Sequence, residues 1–90
     1  MTRIRRLVLD VLKPHQPNAL DFAASLADLG TDYQVKLTVV EVDEKTETTI
    51  LVIEGEDIQF QAISEMIEQM GASMHSIDEV EVEGVGPASV

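Results

Sequence analysis

Ninety residues, 44% of them hydrophobic, are enough for one domain with one core, and with Phe22, Tyr33 and Phe60 as the aromatics that core falls to Val, Ile, Leu, Met and Ala. Seventeen Asp and Glu against six Lys and Arg give a formal charge of -11, which repels phosphate backbones and argues against a nucleic-acid partner. The lack of cysteine removes disulfides and thiolate metal sites and makes a reducing cytoplasm the default compartment, and no run approaches the roughly 20 apolar residues that a membrane helix needs.

Ile4 to Leu12 is rich in Val, Leu and Ile and closes at Lys13-Pro14, where proline ends a ladder; it reads as the first strand. Leu7, Leu9 and Val11 share one face, with Arg6, Val8, Asp10 and Leu12 on the other. Arg3, Arg5 and Arg6 ahead of the apolar run Leu7 to Leu12 imitate a signal peptide, but Asp10 interrupts that run and no small-residue cleavage site follows. From Asn18 to Leu29 the apolar positions 19, 22, 23, 26 and 29 have helical spacing, with Pro17 suited to the first turn and Gly30 to the position past the last.

Tyr33 to Val42 alternates as a second strand, placing Tyr33, Val35, Leu37 and Val39 opposite Lys36, Thr38, Val40 and Val42. The polar turn Asp43-Glu44-Lys45-Thr46 leads into a third strand, Glu47 to Glu54, with Thr49, Leu51 and Ile53 on one face and Thr48, Ile50, Val52 and Glu54 on the other. Gly55-Glu56-Asp57 breaks it and offers Asp57 as the N-cap of a second helix, whose stripe Ile58, Ala62, Ile63, Met66, Ile67 and Met70 ends at Gly71. Ser73 to Glu83 is the fourth strand, and its parity slips between Ile77 and Val80, the mark of a bulge or bend.

Two successive β-α-β units predict an α+β, ferredoxin-like βαββαβ fold: a four-stranded antiparallel sheet with two helices on one face, over residues 1–84, and a frayed tail over 85–90. The first and third strands are expected at the centre, running parallel, with the fourth antiparallel beside the first.

Helices on one side leave a second face that should be polar. Instead Val8, Leu12, Val40, Val42, Ile50 and Val52 fall there, an apolar set that predicts a homo-oligomer interface. The competing reading is that the threonines, Lys36, Glu54 and the net charge keep a monomer soluble. The acidity itself suits either a salt-rich, halophilic cytoplasm, where screening relieves self-repulsion, or an ordinary acidic protein.

The same topology brings the end of the first strand beside the start of the fourth, and with it Asp10, Lys13 and His15 toward His75, Ser76 and Asp78. Asp10 and Asp78 suit a hard cation such as Ca²⁺, and His15 and His75 a transition metal; strand-end Asp, His and Ser also serve as plain turn and cap residues. The acid clusters around Glu41 to Glu47 and Glu54 to Asp57 lack EF-hand spacing. No Gly-x-Ser-x-Gly or phosphate loop is present, and His75 and Ser76, adjacent on a strand, point to opposite faces.

Two blocks, Arg6-Leu7-Val8-Leu9-Asp10-Val11-Leu12-Lys13-Pro14-His15 and Gly71-Ala72-Ser73-Met74-His75-Ser76-Ile77-Asp78-Glu79-Val80, resemble the archaeal domain-of-unknown-function family 211, as do Glu41-Val42-Asp43 and Ile53-Glu54-Gly55. The resemblance spans residues 3 to 84. It implies a ferredoxin-like fold, an archaeal cytoplasmic source and ring-like or otherwise multimeric assembly with bound calcium, and it implies no activity. The family-pattern positions are Asp10, Lys13, Pro14, His15, His75, Ser76, Asp78 and Glu79. The leading expectation is a non-enzymatic, homo-oligomeric binding module that senses a small ligand or cation, with no membrane or nucleic-acid partner. The alternatives are a metal-binding protein using Asp10, Asp78 and the histidines, and a small hydrolase or transferase built on His75.

Overall fold

A computed structural model, which describes residues 1–86, orders the elements β1 (Thr2–Pro14), α1 (Ala19–Ala27), β2 (Gln34–Val42), β3 (Thr46–Glu54), α2 (Phe60–Gln69) and β4 (Ser73–Gly84). The sheet runs β2-β3-β1-β4 with every neighbouring pair antiparallel, which is the ferredoxin-like arrangement. The expectation of a parallel central pair is corrected by this pairing. The crossover through α1 returns β2 in the direction of β1 and leaves a gap between them, and the hairpin fills that gap with β3 running the other way.

Alternation decides which side is buried. Leu7, Leu9, Val11 and Lys13 of β1 and Thr49, Leu51 and Ile53 of β3 all turn inward, where Phe22 and Leu26 of α1 and Ile63 and Ile67 of α2 close over them with Ile58 and Ala72. Each fully buried Leu, Ile or Phe contributes on the order of 2 kcal/mol. The Thr49 hydroxyl, buried with them, donates to the Val11 carbonyl at 2.7 Å, so it costs the core little.

The helix starts differ from the expectation in detail. Asn18 caps α1, its side chain accepting from the Asp21 N–H at 2.8 Å, and Pro17 stands before the cap rather than in the first turn. Asp57 does not cap α2. Gln59 holds that position without a side-chain cap, its own N–H donating to the Tyr33 hydroxyl at 2.7 Å, while the Ile58 N–H donates to the Ile4 carbonyl. Gly71 ends α2 at φ +81, a left-handed conformation that favours glycine.

Four irregularities interrupt the pairing, one of them on β1 at Arg5, between the Ile4–Val82 and Arg6–Glu81 pairs. In β4 the parity slip is a bulge at Asp78, since Glu79 lies opposite Val8 and Ile77 opposite Leu9; a second at His75 separates the Asp10–Ser76 and Val11–Met74 pairs. In β2, Val39 faces Thr49 and Glu41 faces Thr48, which makes Val40 the extra residue. Val42, opposite Glu47, therefore falls on the helix side, and the assignment of Val42 to the open face is overturned; Glu41 takes that place.

The molecule measures 56 × 23 × 18 Å. The thirteen residues of β1 span roughly 43 Å, whereas helices of nine and ten residues cover only about 15 Å, so the strands outrun the layer above them. That mismatch leaves Val39 and Val42 on β2 and Ile77, Val80 and Val82 on β4 exposed on the helix side, and the bulge leaves Val40 exposed as well. No helix among the described residues is long and apolar enough to cross a membrane. The expected tail lies, from residue 87 on, outside the described residues; the N–H of Val85 donates to the Met1 carbonyl at 2.9 Å.

Candidate functional site

The open face is built by β1 and β3. Val8 sits opposite Val52, Asp10 opposite Ile50 and Leu12 opposite Thr48, and the apolar members of this set are half-buried rather than bare. Arg6 closes one end, bonding Glu54 of β3 at 2.9 Å and Glu79 of β4 at 2.8 Å and so tying three strands together. Asp10 occupies the middle. Its Oδ1 is buried and has no hydrogen-bond partner among the described residues, an arrangement that carries a desolvation cost unless something else supplies a donor or a cation.

The four residues expected to hold a metal do not converge. Asp10 lies beside Ser76 across the β1–β4 pair, while His75 and Asp78 are the bulge residues on either side of Ser76 and Ile77. The Ser76 hydroxyl donates to the Asp78 carboxylate at 2.7 Å, leaving no Ser76–His75 dyad. His15 turns the other way, to the hairpin: its Nδ1 meets Glu47 Oε2 at 2.9 Å and its Nε2 meets the Glu44 carbonyl at 3.0 Å. Among the described residues no group of three or more His, Cys, Asp or Glu stands close enough to share a metal ion.

Sequence reasoning missed the strongest polar feature, the corner made by Lys13, His15 and Glu47. Lys13 continues the inward parity of Leu7, Leu9 and Val11 and is fully buried, its ammonium 5.9 Å from the centroid of the Phe22 ring. It donates to Glu47 Oε1 and to the Pro14 carbonyl, each at 2.9 Å. One carboxylate thus holds two cations, one on each oxygen. The signal was available: Lys13 has core parity, and its cross-strand partner on the same face is Glu47.

Both ring nitrogens of His15 face acceptors, which suits the imidazolium, and the bond to Glu47 followed by that to the Glu44 carbonyl raises its pKa above the usual 6.5. Glu47 is held below its usual 4.5, first by His15 and then by Lys13. The His15 contribution to stability is complete below pH 6.5 and fades as pH rises through the raised value; that of Glu47 is complete above 4.5 and fades as pH falls through the lowered one. Both act together between those limits. The gap in melting temperature between the native chain and His15→Gln is therefore expected to be widest at pH 5 to 6 and to narrow toward pH 9, as followed by thermal unfolding in a pH series. A gap that stays constant or grows toward pH 9 would contradict this.

The model of domain-of-unknown-function family 211, described as Uncharacterized ArCR, matches residues 5–85. The chain belongs to this family. Uncharacterized protein MJ0319 of Methanocaldococcus jannaschii is 48% identical to it over 80 residues, 89% of this chain and 82% of that protein. Neither description names an activity. Of the residues on which the resemblance was read, Lys13 and His15 go to the Glu47 corner, whereas His75, Ser76, Asp78 and Glu79 lie on the edge strand β4.

Proposed function

We propose that this member of family 211 is a non-enzymatic binding module of the cytoplasm that works as a homo-oligomer, its copies meeting on the open face and the adjoining β2 edge. The observation that carries this reading is the apolar surface of Val8, Leu12, Ile50 and Val52, continuous with exposed Val40 and lacking any covering element among the described residues. The β2 edge supports it electrically: Lys36 and Glu41 are its only charged residues, so two copies can approach there despite the charge of -11. The Ser76–Asp78 bond and the separation of the two histidines are consistent with a role other than catalysis.

Size-exclusion chromatography with light scattering is expected to give a mass that is a multiple of 9.9 kDa for the native chain and a single subunit for Ile50→Lys. A native monomer at millimolar concentration and low salt would end this reading. The unpartnered Asp10 Oδ1 favours a second reading in which a cation such as Ca²⁺ joins the assembly there. Calcium would then raise the melting temperature of the native chain and leave Asp10→Asn unmoved, and an equal response in both chains would remove Asp10 from consideration.

A further inference from the structure

The two edges of the sheet differ in charge. No lysine or arginine follows Lys45, and β4 carries Asp78, Glu79, Glu81 and Glu83. The bulges at His75 and Asp78 disturb the first half of β4, but Glu79 to Gly84 runs without an extra residue, the slip there being on β1 at Arg5. As an edge strand it has backbone groups on its outer side that no other strand among the described residues pairs. Val80 lies opposite Leu7 and Val82 opposite Ile4, on the helix side, yet they remain 57% and 50% exposed because the helices stop short of them. Glu79 and Glu81, opposite Val8 and Arg6, fall on the other face.

We infer that Glu79 to Gly84 of β4 is a docking edge for an extended segment of a partner protein in which apolar residues alternate with lysine or arginine. Such a strand adds to the sheet by main-chain hydrogen bonds, lays its apolar side chains against Val80 and Val82, and sets its basic side chains against Glu81, Glu79 beside it being shared with Arg6. Charge selects a foreign segment over a second copy. Two β4 edges brought together would oppose carboxylate to carboxylate, and of the copy's own six bases Arg6 is engaged by Glu54 and Glu79, Arg5 by Glu83 and Glu56, Lys13 is buried, Arg3 already lies opposite Glu83 within the sheet and Lys45 sits in the hairpin turn, so that the other edge strand, β2, offers Lys36 alone. A groove of about 550 Å³ continues from this edge, with Asp32, Glu54, Glu56, Glu81 and Glu83 around Arg5, and so extends the same preference for a basic guest.

This inference goes beyond the open-face assembly and is tested apart from it. A labelled peptide of about eight residues alternating valine and lysine is titrated by fluorescence anisotropy against the native chain, Val80→Asp and Ile50→Lys. Binding to the native chain is expected, unchanged in Ile50→Lys and weakened about tenfold or more in Val80→Asp. A peptide of the same composition with the valines and lysines in separate blocks, and the alternating peptide N-methylated along one edge, are expected to bind about tenfold less well. Equal binding of either control would reduce the effect to bulk charge and overturn the inference. So would undiminished binding to Val80→Asp, or loss of the oligomer in Val80→Asp by light scattering, which would give the edge to a second copy.

Discussion

Replacing Glu47 with alanine is expected to lower stability by about 3 kcal/mol, because it removes the one carboxylate among the described residues bonded to a lysine that water does not reach. For a domain of this size that is a fall in melting temperature of roughly 12–24 °C. The reason is asymmetric. A buried ion pair adds little relative to a well-packed apolar pair, but deleting one partner strands the other charge in the core, where Lys13 would keep only the Pro14 carbonyl. The double variant Lys13→Met with Glu47→Gln restores most of the loss by removing the stranded charge while keeping the volume. Chemical denaturation of Lys13→Met, Glu47→Gln and the double variant measures the coupling; a Glu47→Ala chain within about 0.5 kcal/mol of native would show that Lys13 finds water or another acceptor.

The second large effect is expected at Phe22, the bulkiest apolar side chain in the core. Phe22→Ala loses about 4 kcal/mol: the transfer energy of the ring, the cavity left under β1, and the face over which the Lys13 ammonium sits at 5.9 Å. Phe22→Leu separates these contributions, keeping most of the volume without the ring face, and is expected to lose about 1.5 kcal/mol. Equilibrium unfolding in urea, with unchanged slope, is the check. If the leucine chain lost as much as the alanine chain, the ring's contact with the cation rather than its bulk would be the dominant contribution.

Much of the fold was legible because its long segments repeat cleanly. Leu7, Leu9 and Val11, and likewise Leu51 and Ile53, gave the inward face directly, and the stripe through Ile63 and Ile67 gave α2. What failed did so where one residue breaks a period. Val40 as a bulge turned Val42 to the helix side, an outcome that depends on how β2 must bend against β3 and leaves no mark in an otherwise apolar run. In β4 the slip was visible, since Ile77 and Val80 cannot share a strict alternation, but the extra residue at His75 was not, because Ser73, His75 and Ser76 are polar on both parities. Asp57 resembled a cap because acids favour that position, yet the Tyr33 hydroxyl reaches the Gln59 N–H first.

The polar residues were harder for a different reason. Proximity along β1 and β4 was inferred correctly for Asp10 and Ser76, whereas His15 lies beyond the strand end, where the chain is free to turn toward either neighbour. Two acceptors on the hairpin side, the Glu47 carboxylate and the Glu44 carbonyl, took it away from His75. Lys13 was grouped with Asp10 and His15 by its chemistry although its parity placed it inside.

Strand order also governs when the sheet can be completed. Thr2 pairs with Gly84 and Leu12 with Ser73, so the earliest residues of the described chain obtain their second neighbour from the latest. A chain emerging from the ribosome can close the β2–β3 hairpin and dock it on β1, but β1 stays an uncovered margin with Leu7, Leu9 and Val11 short of one flank until translation passes Gly84. Arg5 and Arg6, whose carboxylates on Glu83 and Glu79 arrive last, hold that final strand in place.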